Sequence, residues 1–239
     1  MYRFFLKSKI EDPQNIVIAD REIVHKITKV LRLKVGDVFI LFDTDANEYE
    51  VIVKEIKKAQ VTCSFIKKSY NSRDLEIEIN LYQSLLKSDK LEWLCQKVTE
   101  IGVKRIIPLV SENCVIKELN QNKVKRYQKI IEEATIQSGG KISPVFEQVQ
   151  KFEEAIKHLN PRQLNLIAHE QESENLLFNV LQSNNSQVIN LFIGPEGGFS
   201  PFEIDLARQN SLISVSLGKR ILRAETAAIA ACAIIAQCC

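Results

Sequence analysis

The sequence predicts an α/β protein in two parts, a small β-barrel over residues 1–72 and an open, mainly parallel α/β sheet over residues 73–239. Three observations carry that reading. The first seventy residues hold short apolar, β-prone runs and a single helical one. From residue 75, strand-like and helix-like segments alternate, as they do in a parallel sheet with helical crossovers. Between the two lies the polar stretch Ser69-Tyr70-Asn71-Ser72-Arg73-Asp74, which reads as a linker.

The N-terminal strands fall at Arg3–Leu6, Asn15–Ala19, Asp37–Phe42, Tyr49–Ile56 and Val61–Ile66. Short strands of this kind suit a small barrel. The helix spans Asp20–Leu33, with Asp20 at the N-cap and Ile23, Val24, Ile27, Val30 and Leu31 at helical spacing. In the second part, strands are expected at Ile77–Leu81, Arg105–Leu109, Leu164–Ala168, Val188–Ile193 and Ile213–Leu217. The intervening helices are Asp89–Ile101, Lys123–Gln137, Phe152–Leu159, Pro201–Gln209 and Glu225–Gln237. Ser200-Pro201-Phe202-Glu203 marks one start clearly, as a capping box with proline at the first helical position. The last helix is apolar without a break from Ala227 to Ala236, so it should be buried on every face. Its small residues suit either the core or close packing across a subunit interface.

The bulk properties mainly exclude. Hydrophobic content of 45% and charged content of 26% are those of a soluble globular protein. Residues 1–74 carry 14 Lys+Arg against 11 Asp+Glu and the remainder 18 against 19, a tilt compatible with an N-terminal nucleic-acid contact. No N-terminal apolar run resembles a signal peptide, and Ala227–Ala236 is about half the length needed to cross a bilayer. A cytoplasmic protein away from membranes is expected. The cysteines 63, 95, 114, 232, 238 and 239 show no C-x-x-C spacing, and His25, His158 and His169 are scattered. Neither a metal site nor a disulfide framework is therefore expected.

Two segments carry the chemistry. Gly194-Pro195-Glu196-Gly197-Gly198-Phe199-Ser200 follows the strand ending at Ile193. Leu217-Gly218-Lys219-Arg220-Ile221-Leu222-Arg223-Ala224-Glu225-Thr226-Ala227 follows the strand ending near Ser216. Glycines at adjacent strand ends let backbone approach a ligand, and ligands of open α/β sheets sit beyond the carboxyl ends of the strands. Taken alone, the first loop reads more readily as a tight strand-to-helix turn than as a binding loop. Neither a G-x-G-x-x-G dinucleotide fingerprint nor a Walker A motif is present.

Together these stretches resemble the RsmE family of RNA methyltransferases, which carry a Gly-Pro-Glu-Gly-Gly-Phe loop and then Leu-Gly…Ile-Leu-Arg-x-Glu-Thr-Ala. The resemblance extends to Lys97-Val98-Thr99-Glu100-Ile101-Gly102-Val103, to Arg3-Phe4-Phe5, and to His25…Val30-Leu31-Arg32…Gly36-Asp37. It departs at Asn113, where the family usually has arginine. It departs also at Ile136 and Gly140, in place of glutamate and arginine, with Lys141 as a partial substitute.

The resemblance implies an S-adenosylmethionine-dependent enzyme of the SPOUT class, with a PUA-like barrel followed by an α/β domain tied in a trefoil knot and paired as a homodimer. It implies methylation of N3 of one uridine in the 16S ribosomal RNA of the small ribosomal subunit. The donor's sulfonium makes a metal unnecessary, but N3 must lose its proton, to a base or with an electrostatic stabiliser at hand. Arg223, Glu196 and Glu225 are the catalytic candidates. Ile193, Gly194, Pro195, Glu196, Gly197, Gly198, Leu217, Gly218, Ile221, Leu222 and Ala224 form the expected cofactor wall, and Arg3, Arg32 and Lys34 the expected RNA contacts. A non-catalytic RNA-binding protein on the same scaffold, or a methyltransferase for another RNA, remain alternatives. A nucleotide-dependent oxidoreductase is disfavoured by the missing fingerprint.

Overall fold

Apolar side chains between Phe4 and Cys63 gather in one buried cluster, and those from Ile77 to Ile235 gather in two others. The computed structural model, which describes residues 1–6, 8–43, 47–69 and 74–238, divides accordingly. One compact unit is Met1–Arg73 with Gly139–Ile142, and the other is Asp74–Ser138 with Ser143–Cys239. Most of the expected linker, with the boundary at residues 72 and 73, lies outside the described residues.

The first unit holds β1 (Arg3–Phe5), β2 (Ile16–Ile18), α1 (Arg21–His25), β3 (Val38–Phe42), β4 (Glu48–Ile56) and β5 (Val61–Ser69). Its sheet runs β1-β3-β4-β5-β2, and two register shifts between β4 and β5 bend it around its core. Asp20 caps α1 as expected, its Oδ1 accepting from the Glu22 and Ile23 amides at 2.9 and 3.1 Å. The expected single helix does not continue as an α-helix. Lys26–Val30 widens into a π-helical turn that buries Ile27, and Arg32 then takes a positive φ of 53°. Such turns recur at functional sites.

The second unit holds β6 (Glu78–Ser84), α2 (Ser88–Ile101), β7 (Arg105–Val110), α3 (Gln121–Ser138), β8 (Val145–Phe146), β9 (Gln150–Lys151) and α4 (Phe152–Lys157). There follow β10 (Leu164–Ala168), α5 (Leu177–Gln182), β11 (Val188–Ile193), α6 (Pro201–Gln209), β12 (Ile213–Val215) and α7 (Ala224–Cys238). The parallel sheet is ordered β12-β10-β11-β6-β7-β8, with β9 also paired to β7. The short β8, β9 and α5 carry too few residues for a periodic signal and escaped the sequence reading. A buried chain of amides fixes the register of three strands. Asn80 Nδ2 donates to Asn190 Oδ1 (3.0 Å), and Asn190 Nδ2 donates to Asn165 Oδ1 (2.7 Å).

Sequence order misplaces one neighbour. The two glycine loops do not leave adjacent strands, because β10 lies between β11 and β12. Parallel strands need long crossovers, so consecutive strands are free to be separated in the sheet. The apolar α7 also departs from expectation. Ala228, Ala231, Cys232 and Ile235 are buried, but Ile229, Ala230, Ala233 and Ile234 are only half-buried within the chain. No described helix is long and apolar enough to cross a membrane.

Candidate active site

At the carboxyl ends of β10, β11 and β12 the chain leaves a cavity of 460 Å³. Three segments wall it: Ala168–Glu170 after β10, Ile193–Phe199 after β11, and Val215–Ala224 after β12, with Ala227 behind.

Two glycines of the first loop have distinct reasons. A Cβ on Gly194 would lie 3.2 Å from both Gly198 C and Phe199 N, so the strand end and the returning loop touch backbone to backbone. The loop closes through a turn in which the Gly198 amide donates to the Pro195 carbonyl at 3.0 Å. Gly198 itself has φ +67°, a conformation costly for side-chain-bearing residues. Two further contacts hold this loop. Asn113 Nδ2 donates to the Gly197 and Gly198 carbonyls at 3.2 and 3.1 Å, and Gln83 Nε2 donates to the Gly194 carbonyl at 3.4 Å. Just beyond, the capping box of α6 forms as its sequence predicts. The buried Glu203 accepts from the Ser200 amide at 2.9 Å and also from the Glu112 amide at 2.8 Å. The loop bearing Asn113 is thereby fastened to the glycine loop.

The charged groups are arranged around Lys90, in the first turn of α2. Its Nζ lies 2.9 Å from Glu196 Oε1 and 3.7 Å from Glu225 Oε2. Burial presses the Glu196 carboxyl upward. The Lys90 hydrogen bond, its own backbone amide, and the Lys90 and Lys87 charges outweigh that and hold it below the usual value. The same hydrogen bond raises Lys90 above an ordinary lysine. Cys63, Cys95 and Cys232 are pushed up to about 12 by burial, which makes them inert as thiolates.

Comparison with known proteins now bears on this cleft. A family model described as RNA methyltransferase domain matches residues 73–236, and one described as RNA methyltransferase PUA domain matches residues 19–66. The chain belongs to the RsmE family of RNA methyltransferases. Its relatives include a ribosomal RNA small subunit methyltransferase E of Rickettsia conorii, 33% identical over 97% of this chain and 93% of that one. The enzyme of that name from Bacillus subtilis is 32% identical over 98% and 96%. A crystal structure of ribosomal RNA small subunit methyltransferase E from Neisseria gonorrhoeae, bound to S-adenosyl methionine, superposes with a TM-score of 0.85. It is 28% identical and covers 98% of this chain, which covers 95% of it.

In this RNA methyltransferase the expected cofactor-wall residues, Ile193 through Gly198, Leu217, Gly218, Ile221, Leu222 and Ala224, all line the cavity. Ile221 stands at its rim, 84% exposed. Arg223 lines it too and is exposed, whereas Glu225 lies outside the lining and is buried. The RNA candidates separate. Arg32 and Lys34 are exposed. Arg3 does not fit the part: its side chain is 10% exposed and pairs with Glu48 at 2.8 Å, so its guanidinium is committed inside its own unit. Sequence reasoning missed His169 and Glu170, which enter the cleft from β10, and Lys219 and Arg220 on the second loop. It also missed Lys90, which carries no motif of its own, and read Asn113 only as a lost arginine.

Proposed function

We propose that this RNA methyltransferase transfers a methyl group from S-adenosylmethionine to N3 of a uridine in the 16S RNA of the small ribosomal subunit. The observation that carries the reading is the cavity itself, a glycine-walled space at three parallel strand ends, lined by all the residues nominated for the cofactor and by Arg223, with Glu225 outside the lining. Its size lies in the range of small-molecule pockets, roughly 300–1,000 Å³. Gly194 lets the end of the strand and the returning loop that wall it meet backbone to backbone.

When bound, the cofactor supplies an electrophilic methyl group on a cationic sulfur. The chain's part is to hold that group and bring uracil N3 into line with it. The loop backbones of Gly194–Gly198 and Leu217–Leu222 hold the cofactor, with apolar contact from Ile193 and Leu222. Arg223 stabilises negative charge on the uracil oxygens as N3 loses its proton. Glu196, hydrogen-bonded to an ammonium, is too weak a base to take that proton unaided. The two loops belong to the trefoil knot that the family implies, and the protein works in the cytoplasm, without a metal.

The test is methyl transfer to small-subunit RNA with labelled S-adenosylmethionine, followed by mass spectrometry of the nucleosides. N3-methyluridine is expected. Cofactor binding without transfer would favour the non-catalytic reading, and a label elsewhere would favour another target.

The first unit is assigned RNA binding. Arg32 stands exposed at positive φ just beyond the π-helical turn, with Lys34 close by. The full-length double variant Arg32→Ala/Lys34→Ala should bind RNA more weakly and lose about two from its log–log salt slope, one per phosphate contact. Its cofactor affinity should match the wild type. An unchanged salt slope would remove both residues from the RNA surface.

A homodimer is proposed because α7 keeps an apolar face half-exposed, with Trp93 of α2 47% exposed. Sedimentation at micromolar concentration should show a dimer. A monomer that still methylates RNA would refute the assembly.

A further inference from the structure

We propose that Lys90 is a positioning residue for methyl transfer, tying the first loop through Glu196 to the start of α7 through Glu225 and so setting the spacing of the cleft's two glycine loops. The proposal rests on the methyltransferase reading above and adds to it a residue from outside both motifs.

The geometry is that of a clamp on a rigid base. Leu91, Leu94, Cys95 and Val98 of α2 are fully buried in the main core, so the helix presenting Lys90 is fixed. The groups it grips are placed otherwise. Glu196 sits at the tip of a loop held by turn and amide contacts, and Glu225 sits one residue into the helix that the second loop feeds. Lys90 Nζ reaches the first at 2.9 Å and the second at 3.7 Å.

Glu225 shows why the ammonium is needed. It is only 7% exposed, and its Oε2 accepts no hydrogen bond among the described residues. A buried carboxylate without a partner is strongly disfavoured, and Lys90 supplies the compensating charge. The charges facing Lys90 are Glu196, Glu225 and the like-charged Arg223, and Glu196 also feels Lys87. One ammonium therefore serves two carboxylates. Without it the two carboxylates would repel each other across the cleft's two loops.

The pairing gives the wild type a pH dependence that the variant lacks. In the wild type Glu196 is held below its ordinary 4.5, so the pairing is intact above that pH and is lost on acidification. In Lys90→Met the ion pair is gone, and this loss on acidification goes with it.

The experiment compares the full-length wild type, Lys90→Met and Lys90→Arg. Calorimetry with S-adenosylmethionine is run from neutral pH down through the ordinary carboxylate range. Turnover is measured on small-subunit RNA, and folding is checked by circular dichroism. Lys90→Met keeps the aliphatic stem and should lose about 100-fold in kcat, the cost of an ångström-scale misplacement, with KM for RNA little changed. Its cofactor affinity should lack the wild type's fall on acidification, while Lys90→Arg should keep the wild-type profile and most of the rate. Lys90→Met with wild-type turnover and pH profile would overturn the positioning role. So would Lys90→Arg as impaired as Lys90→Met, because shape and not charge would then matter. A wild type that binds no S-adenosylmethionine would instead sink the methyltransferase reading, and this proposal with it.

Discussion

Arg223→Ala should bind S-adenosylmethionine almost as the wild type does and yet transfer methyl groups about a hundredfold more slowly or worse, the usual cost of removing one donor to developing negative charge. The residue stands where α7 begins, with its carbonyl accepting from the Ala227 amide at 2.8 Å. A cation at a helix N-terminus opposes the helix dipole by about 0.3–1 kcal/mol. Stability therefore gives no reason for an exposed arginine there, and the variant's melting temperature should stay level or rise slightly. The side chain lines the cleft, whereas Glu225, two residues on, satisfies the dipole with a buried carboxylate. Calorimetry and single-turnover kinetics separate the outcomes. Near-normal turnover would reduce Arg223 to surface. Lost cofactor binding would place it in the cofactor site. A rate that recovers at high RNA concentration would assign it to target positioning, and one that does not would assign it to the chemical step.

What could be read in the sequence was whatever is encoded locally. Asp20 and Ser200-Pro201-Phe202-Glu203 announce helix starts because a cap is made by residues two or three apart. Ile193 and the glycines after it announce the end of a strand and a tight turn because the two are contiguous. The rest depends on pairs that meet only when the chain folds. Lys90 and Glu196 are 106 residues apart, and Arg3 and Glu48 are 45 apart. In both cases a lysine or arginine in sequence looks like any solvated cation. Asn113 is the clearest instance. In sequence it reads only as a departure from the family's arginine, while its amide in fact bridges two carbonyls of the first glycine loop 84 and 85 residues away. The insertion of β10 between β11 and β12 likewise follows from crossover topology, and with it come His169 and Glu170 as a third wall.

Gly194→Ala and Gly198→Val should both abolish cofactor binding, for different physical reasons that a third glycine can separate. At Gly194 the added methyl would meet backbone, 3.2 Å from Gly198 C and Phe199 N and 3.3 Å from Gly198 Cα. Backbone cannot rotate away as a side chain can, so the loop must lift off the strand end, and overpacking of this kind typically costs about 1–3 kcal/mol. At Gly198 the nearest obstacle is the Glu170 carboxylate, 3.0 Å from the new Cβ, which is the free end of an exposed side chain and can move. The φ of +67° cannot be relieved so simply, and it costs an L-residue roughly 1–2 kcal/mol, more when β-branched. The valine variant is therefore expected to fold with lower stability, its loop redrawn to escape the left-handed conformation. Gly36 is the control, since it has φ +96° with nothing within 4 Å of a new Cβ and lies in the other unit. Gly36→Ala should lower the melting temperature through backbone strain alone while leaving cofactor affinity untouched. If all three variants lose stability but keep full affinity for S-adenosylmethionine, the glycine loop is a turn and not the cofactor's cradle.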